Sequence, residues 1–309
     1  MNDISSVVLL KRCTSYDRVA IASIVDTMLP VLNNDANLHG RVVLLNPNLI
    51  SATGSHLSCT HGEFICAVAE CFLDRGARVR LGDSPAFGRA ATVCRKLGID
   101  HTLAAMNVEL VEFATPLKKT LASGITVTVA KEALECDLFV GLPKVKAHNQ
   151  TYMTLALKNI FGIVKGTKKA TLHMTQGSSH RRFAGIIIDL LSLLPAQLHL
   201  ADGIKAMHKT GPLHGERFDL NCIAGSVNPV ALDTALLGLL ELDCHKSPLW
   251  QVVAKRKMTG WNVTDLIYPY LSPRDFEGLG FIAPEDLNPI RFNPMRFFRG
   301  MVKRVLTKV

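Results

Sequence analysis

Short apolar runs alternate with amphipathic stretches from one end of the chain to the other. "SVVLLK" (6–11) reads as a strand, "YDRVAIASIVDTML" (16–29) repeats its apolar positions at helical spacing, and "RVVLLN" (41–46) reads as a second strand. This is a βαβ opening. "FICAVAECFLDR" (64–75) is helical, with Thr60 and Glu63 at the spacing of a capping box and Gly76 as a stop, and "ARVRLGD" (77–83) returns as a strand. Further strands are expected at 108–113, 125–130, 136–142, 196–202 and 219–225, and helices at 151–162 and 181–194. The alternation predicts an α/β fold, a largely parallel sheet covered by helices on both faces, in one domain or two α/β lobes. We expect that fold over residues 1–245, an extension over 246–290 packed on it, and a basic amphipathic tail over 291–309.

The carboxyl ends of the strands carry the candidate chemistry. "NPNL" follows strand residues 41–45, "GDSP" follows 79–81, "LPKVKAH" follows 136–141, "DGIKAM" follows 198–201 and "SVNPVALD" follows 221–225. Ligands of open α/β sheets bind outside these ends, so the five turns are expected to line one crevice. Asn, Asp, Gly and Pro also serve ordinary turns, which suffices for "NPN" and "NPVALD". "LPKVKAH" asks for more, because in an extended segment Lys144, Lys146 and His148 share a face and a turn needs none of them. A helix beginning near Thr151 would aim its amides at the crevice and place Thr151, Thr154 and Lys158 along one face, as either an anion site or a solvated polar face. "GIVKGTKKATLHM", with two glycines among three lysines, suits a flexible lid over an anion. It lacks the ending of a P-loop, and the chain has no G-x-G-x-x-G.

Charge sharpens this picture. Residues 138–188 contain no acid and carry +8, and residues 291–309 contain none and carry +6; against a whole-chain +9, these leave −5 for everything else. Two local patches point to specific anionic partners rather than to coating of nucleic acid. Aromatic residues are only 6%, and from the first basic residue of the central run, Lys144, onward Tyr152, Phe161 and Phe183 alone accompany it, which argues against a stacking platform for single strands. In the tail, apolar Met295, Phe298, Met301, Val302, Val305 and Leu306 recur at helical spacing among basic residues. That pattern suits peripheral contact with an anionic membrane surface, or packing on the domain or on a second subunit.

With 309 residues, 48% hydrophobic, the chain can bury a large core. It lacks a secretory pattern at its N-terminus and any run of ~20 apolar residues, so a cytoplasmic protein is expected. The eight cysteines include no C-x-x-C pair. Cys59, Cys66 and Cys71 come closest to a ligand cluster but read as buried thiols.

Taken in order, "CTHGEFICAVAECFLDRGARVRLGDSP", "GLPKVKAHNQTYMTLALKNIFG", "DGIKAMHKTGP" and "NPVALD" resemble the signature blocks of the domain of unknown function 362 family, over about residues 6–245. The candidate ligands of the anion site are Lys144, Lys146, Lys158, Asn159, Thr151 and Asn48. Many members carry a ferredoxin-like iron–sulfur module, which implies a redox connection for them; this chain has no such cysteine run. It also has Asn46 where the family commonly shows Lys, so that one candidate anion ligand is either missing or replaced by Lys144, Lys146 or Lys158.

Three classes of function follow. The first is an enzyme acting on a small carboxylate or phosphate compound, with Lys144, Lys146 and Lys158 on the anion, His148 or His61 as acid/base, and Asp83 and Asp202 orienting the base or holding a divalent metal. The second is a redox or cluster-associated protein. The third is a basic surface-binding module for membrane or nucleic acid. No cofactor and no metal is assigned by the residues, and an oligomer is compatible with them.

Overall fold

A computed structural model describes residues 3–33, 37–54, 56–86, 88–276 and 280–291. The expected tail therefore lies, beyond Arg291, outside the described residues. In chain order the elements are β1 (Leu9–Arg12), α1 (Arg18–Asn33), β2 (Val42–Pro47), α2 (Gly62–Leu73), β3 (Arg78–Leu81), α3 (Ala90–Lys96), α4 (Asp100–Ala105) and β4 (Glu109–Leu110). A separate hairpin of β5 (Pro116–Thr120) and β6 (Thr126–Ala130) comes next. There follow β7 (Leu138–Leu142), β8 (Lys144–His148), β9 (Tyr152–Thr154), α5 (Ala156–Asn159), α6 (Gly166–Gln176) and α7 (His180–Asp189). The chain continues through β10 (Ala196–His208), β11 (Glu216–Phe218), β12 (Cys222–Ser226), α8 (Pro229–Leu239) and α9 (Pro248–Lys255).

The main sheet has the order β1-β12-β10-β7-β2-β3-β4. Strands β10, β7, β2, β3 and β4 are mutually parallel, and β12 runs antiparallel to its neighbours β1 and β10. Alternation along each strand feeds two cores. Val43, Leu45, Leu138 and Val140 pack with α1 to α4 on one face, while Leu44 and Phe139 pack with α5 and α7 to α9 on the other. A strand buried on both faces reads as a continuous apolar run, which is why "RVVLLN" and "CDLFVGL" stand out in the sequence. Each such side chain, fully buried, contributes roughly 1.5–3 kcal/mol.

Four expectations about local structure are corrected. Residues 151–162 are not one helix: Tyr152–Thr154 pair antiparallel with Lys146–His148, and a single turn of α-helix, α5, begins only at Ala156. Tyr152 makes this hairpin with φ +71°, an uncommon left-handed value for a side-chain-bearing residue. "DGIKAM" is no turn, because β10 runs on through it to His208. Gly203 permits this where a Cβ would sit 2.8 Å from the Cys222 carbonyl. The lysine-rich 166–176 segment is the helix α6 rather than a flexible loop. Finally, α2 is capped by His61, whose Nδ1 accepts from Glu63 N, while Thr60 hydroxyl instead donates to the Leu142 carbonyl at 2.6 Å.

Candidate functional site

Strand β2 ends in Asn46, Pro47 and Asn48, β3 ends before Asp83 and Ser84, and β7 passes through Pro143 into β8, so three carboxyl ends open side by side. With α5 and α6 they enclose a cavity of ≈360 Å³, to which Asn48, Asp83, Lys146, His148, Lys158 and Asn159 all contribute. Lys169, His173 and Thr154 complete its polar wall.

A directional chain of hydrogen bonds braces the floor. Lys146 Nζ donates to Asn48 Oδ1 at 2.6 Å and to the Ser58 carbonyl. Asn48 Nδ2 donates to Asn159 Oδ1 at 3.0 Å, and Asn159 Nδ2 donates to the Asn46 carbonyl at 2.9 Å. Asn46 Nδ2 in turn donates to the Gly82 carbonyl at 2.7 Å and to Asp83 Oδ1 at 3.4 Å. Asp83 Oδ2 accepts from Leu49 N at 3.0 Å. Thus Asn46 joins Asn159 to Asp83 and does not line the cavity. Gly162 is required beside this chain, since a Cβ there would overlap Asp83 Oδ1 and lie 3.1 Å from Asn46 Oδ1.

The α5 turn is held from below. Asp233, buried in α8, accepts from Ala156 N at 2.7 Å and from Leu157 N at 3.2 Å, satisfying amides that the turn leaves open. Lys158 and Asn159 are thereby fixed on the cavity side.

The electrostatics are unusual for a lysine cluster. Burial, with neighbouring Lys169 and Lys146 adding repulsion, pulls Lys158 down to about 7. Burial likewise brings Lys146 to about 7 and lowers Lys169, which Asp83 opposes. Desolvation raises Asp83, against the Lys169 charge. His148 falls well below its ordinary value, first through burial and then through Lys158 and Lys146. Its Nδ1 accepts from Gln150 N at 3.1 Å, so the neutral ring carries its proton on Nε2. His173, brought to about 4 by burial, presents Nδ1–H to the Ile290 carbonyl at 3.2 Å.

Tethers differ among the lysines. Lys169 donates to the Ser84 carbonyl, whereas Lys158 has no hydrogen-bond or ion-pair partner among the described residues and lies 4.8 Å from the Phe161 ring centroid. Thr154 Oγ1 is also buried without a partner.

Not every expected residue joins them. Lys144, Asp202 and His61 form a second, closed cluster: Lys144 Nζ donates to Asp202 Oδ2 at 2.8 Å and to Tyr16 Oη at 2.7 Å, and Tyr16 Oη donates to Asp202 Oδ1 at 2.8 Å. His61 N donates to Asp202 Oδ2 at 3.0 Å, and its ring stacks on Tyr16 at 3.6 Å. Lys144 and Asp202 are fully buried, so this ion pair consumes both groups and the single five-turn crevice is corrected to three turns. Thr151 faces away from the cavity, its hydroxyl donating to the Met153 carbonyl at 3.3 Å, and Asn228 of "SVNPVALD" caps α8. Thr154, expected on one face with Lys158, and Lys169 and His173, expected in a lid over an anion, also line the cavity. Lys169 and His173 stand four residues apart, one face of a helix, a signal visible once α6 is read as helical.

Residues 43–238 match the family described as Domain of unknown function (DUF362). The thylakoid-associated protein sll1697 of Synechocystis sp. is 33% identical over 302 residues, 96% of this chain and 93% of that protein. The chain belongs to the domain of unknown function 362 family. Among solved structures, the lactate racemase apoprotein of Thermoanaerobacterium thermosaccharolyticum aligns with a TM-score of 0.48 at 15% identity, over 77% of this chain and 58% of that one. A Thermotoga maritima protein aligns with a TM-score of 0.44 at 12% identity, over 67% of this chain and 56% of that one. No helix among the described residues is long and apolar enough to cross a membrane.

Proposed function

We propose that this cavity binds a small carboxylate or phosphate compound and that the protein is an enzyme acting on it by acid–base chemistry. One observation carries the reading: three lysines, Lys146, Lys158 and Lys169, converge on a cavity that, among the described residues, holds a single carboxylate, Asp83. Protonated, the set has two positive charges too many for a desolvated site, and a bound anion supplies the missing compensation. The Thr154 hydroxyl and the His148 Nε2–H add neutral donors. His148 and Asp83 are the acid–base candidates, whereas His61, Lys144 and Asp202 serve the neighbouring structural cluster.

Thermal-shift and calorimetric titrations of the full chain with inorganic phosphate, acetate and succinate test this. At least one should bind with 1:1 stoichiometry, with proton uptake at pH 8 as lysines regain charge, and Lys146→Met should weaken binding tenfold or more. Binding unaffected by Lys146→Met, or no binding by any of the three, would sink it.

A second reading is supported by the six basic, acid-free residues of 291–309 and by the thylakoid association of the relative: peripheral contact with an anionic membrane surface. Pelleting with anionic vesicles, with and without residues 292–309, tests it; equal pelleting of both forms counts against it.

A further inference from the structure

The three lysines of the cavity are not equivalent. Lys146 is tied to Asn48 and Ser58 and Lys169 to Ser84, but Lys158 projects over the face of Phe161 without a hydrogen-bond or ion-pair partner among the described residues. Two tethered ammonium groups suit a stationary anion seat. An untethered amine near both, in a cavity whose wall also includes the apolar Ile50, Phe161, Ala170 and Leu213, suits chemistry at the amine itself.

We propose that Lys158 is an amine nucleophile that forms an imine with a small 2-oxo acid whose carboxylate is held by Lys146 and Lys169. The proposal rests on the anion-binding reading and names its substrate class. In a 2-oxo acid the electrophilic carbon is bonded directly to the carboxylate, so a carboxylate seated on two lysines brings the carbonyl next to the third. A cavity of ≈360 Å³ has room for a ligand of this size.

The step balances without an oxidant or reductant. The Lys158 lone pair forms the N–C bond while the carbonyl π pair moves to oxygen. One proton shifts from nitrogen to that oxygen to give a carbinolamine. The hydroxyl then takes a further proton from the Lys146 or Lys169 ammonium, the C–O bond breaks, and water leaves an iminium on Lys158. Such an amine must be unprotonated near neutrality. Burial and two neighbouring cations achieve that here, bringing Lys158 to about 7.

Reductive trapping tests the inference on the full-length protein. The probes are pyruvate and 2-oxoglutarate with sodium borohydride, the readout is peptide mass spectrometry, and phosphate binding is measured in parallel without reductant. We expect Lys158 to be labelled at least tenfold over exposed Lys118 and Lys168, with a rate half-maximal near pH 7 and suppressed by phosphate. Lys158→Arg should lose the label while still binding phosphate. Labelling spread over surface lysines, labelling of Lys146 instead, or a rate still rising steeply at pH 9 overturns the proposal. Phosphate binding with no adduct from either probe overturns the imine and leaves the anion site standing. Failure of phosphate and both oxo acids to bind defeats the anion reading beneath it.

Discussion

Replacing Lys158 by methionine should make the protein more stable, and the gain should fade as pH rises. Methionine keeps a flexible stem over Phe161, where sulfur–aromatic contact is favourable, and removes the charge. A lysine brought from its ordinary 10.5 to about 7 stands for about 5 kcal/mol of unfavourable free energy when protonated, as an upper bound. Water in the cavity screens part of this, and we expect a gain of about 1–3 kcal/mol at pH 6.5. The sign is fixed by linkage. The folded value lies below the unfolded one, so the unfolded chain binds more protons between them. The penalty is full below about 7 and is lost toward 10.5. Wild-type stability should therefore rise through this window, and the advantage of the variant should shrink by up to about 1.4 kcal/mol per pH unit. Urea unfolding of both proteins at pH 6.5 and 9.5, in buffer free of phosphate and carboxylates, measures it. A variant less stable than wild type by more than about 1 kcal/mol at pH 6.5, or an advantage equal at both pH values, would refute the reasoning.

Lys144→Met should cost about 3–5 kcal/mol in the same assay, because it strands the buried Asp202 carboxylate. Gly162→Ala should cost about 1–3 kcal/mol and weaken phosphate binding in calorimetry, since its Cβ displaces Asp83 or Asn46. Asp233→Ala should lose about 1–3 kcal/mol by leaving the Ala156 and Leu157 amides without an acceptor. Burial raises Asp233 well above its ordinary value, so Asp233→Asn, which keeps an acceptor without the charge, should be neutral or stabilising at pH 7 by thermal unfolding.

The sheet and its helical covering were legible because strands such as β2 and β7 are buried on both faces and β-to-α alternation is hard to disguise. Family membership was carried by "LPKVKAH" and its companion blocks, now matched over residues 43–238. Residues 151–162 misled because Met153, Leu157 and Ile160 imitate a helical stripe. Their real structure is decided by the β8 hairpin and by Asp233, 77 positions beyond Ala156, and a local pattern holds neither. Grouping Lys144 and Asp202 with the cavity failed for a similar reason: both have the chemistry of a site, but the strand pairing of Lys144 with Asp202 lets them neutralise one another. Lys169 and His173 were hidden by glycines at 162 and 166, which suggested a mobile loop where they mark the approach to a helix.

The Asp233 clamp separates what must stay still from what is free to vary. Lys158 and Asn159 ride on a turn anchored in the hydrophobic interior, and Lys146 on a strand within the sheet, so the seat inherits the rigidity of the core. The rim is made otherwise, from Gln150 and the Pro212–Leu213 segment. Substitutions along that rim can remodel the size and polarity of the opening while the cationic seat keeps its geometry. A scaffold divided in this way can exchange one small acid for another without refolding the part that recognises charge.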